Sequence, residues 1–372
     1  MSANSPGGPR IFHPLMGANP ATLLKVLGRN GPLPPSRWPH AALALAASLA
    51  RTPFTAYERA HVRRHREEAR AMPAPIFIVG HWRSGTTHLY SLLARSSRFA
   101  YVSPLAVGLP WDFLVMGRLL RPLLERALPK DRFIDRMAVN PDSPQEDEIA
   151  LASMQAVSFY HGLYFPRRFR QNFDAGIFFD GCRGKEVRRW QEALRLFLEK
   201  IALEQPGRRV LIKNPVYTAR VGMLQAMWPD AKFIHIYRNP YVVFQSTRNF
   251  YRKLLPEFAL QPPDRVDIDG VILDAYPRMM DALLADTDRL PEGHFAEVCF
   301  ETFEQQPLAE AERIYRTLGL EGFETDEPAF RDYLEATGNY RKNAYSYPSE
   351  DNRLVERHWG RFIRRWGYHP PE

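Results

Sequence analysis

A glycine-rich segment at residues 80–87 has the composition of an anion-binding loop. It reads Gly80-His81-Trp82-Arg83-Ser84-Gly85-Thr86-Thr87. The two glycines permit a tight turn and a close approach of the backbone to a ligand. Successive N–H groups and the N-terminus of a following helix then form a nest for a phosphate or sulfate group, to which the two threonines add hydroxyl donors. The alternative is a tight strand-to-helix turn that contains threonines by chance.

The segment differs at one position from the loop that binds nucleoside triphosphates, G-x-x-x-x-G-K-[ST]. Thr86 stands where that loop has its lysine, and the cation of this segment, Arg83, lies inside the loop. Without that lysine the loop is poorly suited to a β- and γ-phosphate pair with magnesium. It is well suited to a 5′-phosphate that carries another anionic group. A nucleotide kinase or NTPase-like enzyme of the phosphate-loop class is the alternative enzyme class.

Two motifs together resemble the sulfotransferases that use 3′-phosphoadenosine 5′-phosphosulfate (PAPS). The loop of that family has the form G-x-P-[KR]-[ST]-G-T-T-x-L; this chain departs from it at Trp82, and its arginine is similar to the bacterial and tyrosylprotein-type branch. The family also places an arginine at a strand end and a serine eight residues later, here Arg238 and Ser246. The resemblance implies that this second pair holds the 3′-phosphate. It implies that the 5′-phosphosulfate is held by Gly80, Arg83, Ser84, Gly85, Thr86 and Thr87.

Three further segments resemble parts of the same site. Lys213, in the segment L-I-K-N-P, ends a predicted strand and could either contact the transferring sulfuryl group or cap the strand. His88 follows the loop and could flank the adenine base or pack within its helix. Arg341 and Lys342, in the segment G-N-Y-R-K-N, resemble the loop that closes over the 3′-phosphate, although Asn343 replaces the glycine of the family.

Sulfuryl transfer to a hydroxyl needs a general base that accepts the proton of the acceptor. Glu146 lies in the segment P-Q-E-D-E, which resembles the P-x-E-D-E segment of bacterial members and opens an apolar helical run. The helix dipole also favours acids at such a position, which gives a purely structural explanation. His81 is the rival base, because a neighbouring cation and a helix N-terminus would keep its ring neutral. We expect one base, with Glu146 preferred over His81.

The resemblance implies in-line transfer from PAPS, with negative charge building on the bridging phosphosulfate oxygen. Arg83 and the loop N–H groups would stabilise that charge, and Lys213 would assist. The acceptor is expected to be a hydroxyl group, with an amine as the lesser alternative, on a lipid-like, carbohydrate or peptide molecule. The histidines and acids lack metal-ligand spacing, so the sequence predicts no metal.

Four short apolar runs predict the strands that position these residues, at 76–79, 210–212, 232–237 and 295–300. Each run is followed by helical periodicity, and this repetition predicts a parallel sheet with helices on both faces. With the resemblance, we predict an α/β fold: a P-loop-like three-layer sandwich with a central parallel sheet. A large helical insertion at about 96–205 would form the acceptor wall.

The charge of the chain is concentrated at its N-terminus. Residues 1–70 hold ten Lys and Arg and three acids, a net charge of +7, and residues 71–372 sum to about +1. We therefore predict a basic, partly helical extension over 1–70 and a sulfotransferase domain over 71–372. The extension could lie on an anionic membrane, be a transit peptide, or consist of a solvated arm and a basic helix that packs on the body. The last of these is the interpretation we favour.

The composition argues against disulfide-rich, membrane-spanning and nucleic-acid-binding proteins. Two cysteines in 372 residues cannot build a disulfide framework, which indicates a reducing compartment. The longest apolar run, at about 41–50, is too short to span a bilayer. The nearly neutral body argues against a nucleic-acid groove. We expect a cytoplasmic enzyme, with peripheral membrane contact through the N-terminus left open; a non-catalytic membrane-surface binder is the alternative.

Overall fold

The structure, a computed structural model, describes residues 13–117, 143–263, 266–338 and 345–371. Among these residues, strands β1 (Ile76–Val79), β2 (Phe99–Ala100), β3 (Arg209–Lys213), β4 (Lys232–Tyr237) and β5 (Phe295–Cys299) form one sheet. Every pairing is parallel, and the order is β2-β3-β1-β4-β5. The central β1 has β3 and β4 as its neighbours, so the chain switches direction across the sheet at β1. In parallel α/β sheets, such a switch opens a crevice at the carboxyl ends of the strands.

The sequence of β1 explains why the sheet is covered on both faces. Successive residues of a strand point to opposite faces, and all four residues of β1 are apolar and buried. Phe77 and Val79 belong to one apolar cluster, whereas Ile76 and Ile78 belong to another. Two apolar faces require two helical layers, and the predicted α/β three-layer sandwich is confirmed.

The helices include α1 (Pro20–Asn30), α2 (Trp38–Ala50), α3 (Thr52–Arg64), α4 (Arg66–Arg70), α5 (Thr86–Leu93), α6 (Pro104–Gly108), α7 (Glu148–Met154), α8 (Tyr160–Tyr164), α9 (Phe169–Phe178), α10 (Gly184–Glu204), α11 (Val221–Met227), α12 (Pro240–Phe258), α13 (Ile268–Thr287), α14 (Phe300–Gln305), α15 (Pro307–Leu318), α16 (Phe323–Thr337) and α17 (Ser349–Arg365). Helices α10 to α13 and α17 cover the Phe77 side of the sheet. Helices α5 and α14 to α16 cover the other side. None of the described helices has both the length and the apolar content that crossing a bilayer requires.

The described part of the N-terminal extension packs into the body. Leu23, Val26 and Ala44 are buried in the cluster on the Phe77 side of the sheet. Glu58 of α3 and Lys200 of α10 form a buried ion pair of 2.7 Å. Residues 13–70 therefore share one core with the described residues that follow them.

The structure differs from the sequence prediction at two places. Phe99–Ala100, inside the predicted insertion, forms β2 and extends the sheet beside β3. Two residues are too few for a recognisable apolar run. The helical periodicity that follows the run at 295–300 corresponds to two helices, α14 and α15, because Pro307 cannot continue a helix but suits its first turn.

Candidate functional site

The loop at residues 80–85 follows β1 at the carboxyl edge of the sheet. Gly80 and Gly85 have φ of 144° and 101°, a region that favours glycine. A Cβ at Gly80 would lie 2.4 Å from the Ile236 carbonyl oxygen, and one at Gly85 would lie 2.2 Å from the Phe300 ring. Both positions therefore require glycine. Arg83 also has positive φ, 70°, a strained conformation that the surrounding turn maintains.

The loop retains donor groups that are suited to an anion. The Gly80 N–H donates to Thr218 Oγ1 at 2.8 Å, which fixes the start of the loop. The Ser84 hydroxyl is buried and has no hydrogen-bond partner among the described residues. Helix α5 begins at Thr86, so its N-terminal dipole points at the same space. A buried hydroxyl without a partner is costly, and a bound phosphate or sulfate oxygen would satisfy it. The loop therefore fits an anionic group.

The structure brings the second predicted motif to this loop. Arg83 Nε donates to Ser246 Oγ at 2.9 Å, across 163 residues of sequence. Arg238 Nη1 lies 3.5 Å from the Arg83 carbonyl oxygen, and its guanidinium stacks on the Phe300 ring at 4.2 Å. Two arginines and a serine thus meet at the edge where β1 and β4 end. Two permanently charged, forked donors at one place suit a ligand with more than one anionic group.

Lys213 and Glu146 meet on the other side of the loop. Lys213 is the last residue of β3, and its buried Nζ bonds to Glu146 Oε1 and to Thr87 Oγ1, the latter at 3.3 Å. The Glu146 side chain is 21% exposed, whereas that of Lys213 is 3% exposed, so Glu146 is the member of this pair that a substrate can reach. An acid and a cation therefore lie beside the helix N-terminus, where an incoming hydroxyl would need a proton acceptor.

The two acids after Glu146 serve a different purpose. Asp147 and Glu148 are fully buried, and Asn214 Nδ2 donates to both, at 2.9 and 3.0 Å. Tyr217 also donates to Asp147, and Ser158 donates to Glu148 at 2.7 Å. Burial raises the pKa of each carboxyl to about 7. These two acids join the 146–148 segment to the residues that follow β3, and Glu146 alone of the three faces the site.

The structure does not bring His81 to the open part of the site, and this is a correction to its proposed role as rival base. Its ring is 2% exposed and lies near the rings of Trp82, Tyr276 and Trp359, with centroids 5.1 to 6.3 Å away. Burial lowers the pKa of His81 to about 4. The ring is neutral for this reason, and not because of the neighbouring cation. A ring held in the core is poorly placed to take a proton from an acceptor.

His88 lies in α5 between two aromatic rings. Its centroid is 5.1 Å from that of Phe303 and 6.0 Å from that of Tyr333. This position is compatible with packing and with flanking a base. Arg341 and Lys342 lie outside the described residues.

Sequence reasoning missed three residues that complete the site. The Tyr345 hydroxyl lies 3.1 Å from Ser246 Oγ, Phe300 supports Arg238, and Asn214 holds the acid segment. Phe300 directly follows β5 and Asn214 directly follows β3, so a search of all strand ends could have found both. Tyr345 gives no local signal. Among the described residues, no group of three or more His, Cys, Asp or Glu is placed to hold a metal ion.

Comparisons with known proteins agree with this geometry. Residues 75–325 match the model of the sulfotransferase family. The chain is 31% identical over 360 residues to the omega-hydroxy-beta-dihydromenaquinone-9 sulfotransferase Stf3 of Mycobacterium bovis and of Mycobacterium tuberculosis, covering 96% of this chain and 92% of each relative.

Two solved structures share the fold. Sulfotransferase STF9 from Mycobacterium avium gives a TM-score of 0.68 at 16% identity, covering 94% of this chain and 90% of that one. Sulfotransferase STF1 from Mycobacterium tuberculosis gives 0.63 at 17% identity, covering 91% and 90%. The family match covers most of the chain, and it shows that the activity is transfer of a sulfuryl group. This protein therefore belongs to the sulfotransferase family.

Proposed function

We propose that the protein transfers the sulfuryl group of PAPS to a hydroxyl group on a lipid-like acceptor. The choice of PAPS as the donor rests on one observation: Arg83, Arg238 and Ser246 meet at the glycine loop. PAPS carries a 5′-phosphosulfate and a 3′-phosphate, and this arrangement offers a cation for each. ATP has no 3′-phosphate, so Arg238 and Ser246 would discriminate against it.

Each residue of the site has a part in the reaction. The acceptor oxygen forms a bond to sulfur while the bond from sulfur to the bridging phosphate oxygen breaks, and adenosine 3′,5′-bisphosphate leaves. Arg83 and the loop N–H groups stabilise the charge that builds on that bridging oxygen. Glu146 takes the hydroxyl proton, and Lys213 orients Glu146 and attracts the sulfuryl oxygens. Gly80, Ser84, Gly85, Thr86 and Thr87 hold the 5′ end, while His88, Arg341 and Lys342 are assigned to the nucleoside and the 3′-phosphate.

The choice of acceptor is supported by a relative. Stf3 is named for an omega-hydroxylated menaquinone, a lipid with a hydroxyl group, and 31% identity extends over nearly the whole chain. In this chain Trp82, at the position where the family pattern has proline, packs on Phe159 at 5.1 Å and Phe173 at 6.0 Å. All three rings are buried, so Trp82 joins the loop to the apolar core, and the choice of a lipid-like acceptor rests on the relative. We assign the transferase unit to residues 71–372, with residues 13–70 as an extension packed on it.

Calorimetric titration with adenosine 3′,5′-bisphosphate tests the donor, with ATP and magnesium as the comparison. We expect binding of the bisphosphate alone, weakened about 10- to 100-fold by Arg238→Ala, which removes a charged hydrogen-bond donor. Arg316→Ala is the matched control, because Arg316 is exposed on α15. Binding of ATP with magnesium and not of the bisphosphate would overturn the assignment of the donor.

Incubation with PAPS and candidate acceptors tests the second half of the proposal. We expect mass spectrometry to find a sulfated product with a long-chain isoprenoid or alkyl alcohol and none with a sugar or a tyrosine peptide. Sulfation of the sugar or the peptide alone would reject a lipid-like acceptor and leave the choice of donor intact.

A further inference from the structure

The outer face of α2 is apolar along its whole length. Its exposed residues recur at helical spacing, and none of them is charged or polar: Trp38, Pro39, Ala42, Leu43, Ala46, Leu49 and Ala50. The segment Trp38–Ala50 contains no Asp, Glu, Lys or Arg. A helix that is apolar on all sides is normally buried. Here one side faces solvent.

The opposite side of α2 fixes its orientation. Ala44 and Ser48 are buried, and Ser48 Oγ donates to the Ala18 carbonyl at 2.8 Å. Arg51, just after the helix, pairs with the buried Asp112 at 2.7 Å and donates to the Met16 carbonyl. The apolar face is therefore held outward by contacts on its inner side.

Exposed large apolar residues are concentrated in this part of the chain. Among the described residues they are Leu24, Trp38, Leu43, Leu49 and Tyr57, with exposed fractions of 49–62%. All five lie on α1, α2 or α3. Single exposed apolar residues are normal when they are scattered, whereas such a concentration marks an interaction surface.

Basic side chains accompany this surface. Lys25, Arg59, Arg63 and Arg64 are exposed on α1 and α3. Between residues 13 and 64 the sequence has one acid, Glu58, and it is buried against Lys200. Helices α1, α2 and α3 thus carry exposed basic side chains and no exposed acid; the neighbouring acids are Glu67 and Glu68 on α4 and Glu186 on α10, which pairs with Arg29. Two copies of the chain joined through it would bring those charges together, whereas anionic lipid headgroups would neutralise them.

We propose that the outer face of α2, with its basic neighbours on α1 and α3, docks the protein on an anionic membrane surface. The apolar side chains enter the boundary between headgroups and acyl chains, and Trp38 and Tyr57 lie at the level that suits aromatic residues with a polar atom. Lys25, Arg63 and Arg64 contact the headgroups.

This surface is connected to the candidate site by packing. Helix α2 packs on the turn Pro14–Gly17, and that turn packs on α7, which begins two residues after Glu146. A membrane-bound enzyme would then lie next to the layer that holds a lipid acceptor. This use of the surface rests on the proposed function, whereas the docking itself does not.

Flotation of the full chain with phosphatidylcholine vesicles, with and without phosphatidylglycerol, tests the docking. We expect binding to the anionic vesicles, weakened at least about ten-fold by Leu43→Gln/Leu49→Gln and by Arg63→Gln/Arg64→Gln. Arg316→Gln/Arg331→Gln is the control that removes two exposed charges elsewhere, and its binding should equal that of the wild type. Thermal unfolding and bisphosphate titration confirm that each variant is folded.

Three results would overturn the proposal: no binding of the wild type at low salt, equal binding of the leucine variant, or equal loss in the control. Sedimentation of the protein without vesicles tests whether a second copy of the chain covers this face instead. A dimer that Leu43→Gln/Leu49→Gln dissociates would make this face a self-association surface. Vesicle binding is measured without PAPS or acceptor, so its failure and a failure of sulfuryl transfer are separate results.

Discussion

Replacement of Glu146 by glutamine isolates the proton-transfer step of the proposed mechanism. Glutamine has the same shape, and its amide oxygen can still accept from Lys213, whose side chain is only 3% exposed. The pair therefore keeps a hydrogen bond and loses the group that accepts the proton. Loss of a general base costs about 10²- to 10⁴-fold in turnover. That factor corresponds to about 3–5 kcal/mol in the activation barrier.

The same variant should also keep or increase its affinity for the nucleotide while its turnover falls. Removing the Glu146 charge leaves Lys213 without its counter-charge beside an anion-binding loop, so affinity for adenosine 3′,5′-bisphosphate should hold or increase. Steady-state kinetics and calorimetry measure the two quantities. Glu148→Gln makes the same chemical change at a buried acid that faces Ser158 and Asn214, and its turnover should stay within about ten-fold of wild type. Glu146→Gln with more than a tenth of wild-type turnover would refute the role of Glu146.

Three further variants test other parts of the site. Arg83→Ala should lower turnover about 10²- to 10³-fold with a smaller loss of bisphosphate affinity, because its charge acts mainly in the transition state; wild-type turnover would show that the assigned role is wrong. Gly85→Ala should cost about 1–3 kcal/mol in thermal unfolding and weaken bisphosphate binding, since its φ is 101° and its Cβ would displace Phe300 from beneath Arg238; an unchanged melting temperature would contradict this. Asp147→Asn should change how stability depends on pH. Burial raises the pKa of Asp147 to about 7, against about 4 in an unfolded chain. Between these values the folded wild type holds the extra proton, so its free energy of unfolding relative to Asp147→Asn should fall as pH rises from about 4 to 7 and then level off. Denaturant titrations across that range that show a rise would refute the assignment.

The framework of the site was predictable because it depends on local patterns. A strand buried on both faces needs consecutive apolar residues, and the runs at Ile76–Val79 and Lys232–Tyr237 coincide with β1 and β4. The carboxyl ends of parallel strands share one edge, so residues that follow different strands come together without further information. For this reason the loop, Lys213 and Arg238 could be assigned to one site from sequence alone.

The remaining features depend on neighbours that are distant in sequence. His81 has the composition and position of a catalytic loop histidine, but Tyr276 of α13 and Trp359 of α17 enclose it. The contact of Arg83 with Ser246, and the approach of Tyr345, depend on how α12 and the C-terminal segment lie over the loop. No periodicity or spacing within either segment encodes such a contact.

A catalytic acid on a long insertion keeps its position only if other contacts attach the insertion to the sheet. Asp147 and Glu148, which follow Glu146, make those contacts. Asn214 follows Lys213 directly, just as Asp147 follows Glu146, and the two pairs face each other: cation to acid, amide to acid. The outer pair can then approach a substrate while the inner pair sets the spacing. Keeping two carboxyls in the core is unfavourable, as their raised pKa values indicate. These two unfavourable buried carboxyls lie at the place where they position the proposed base, Glu146, beside the anion-binding loop.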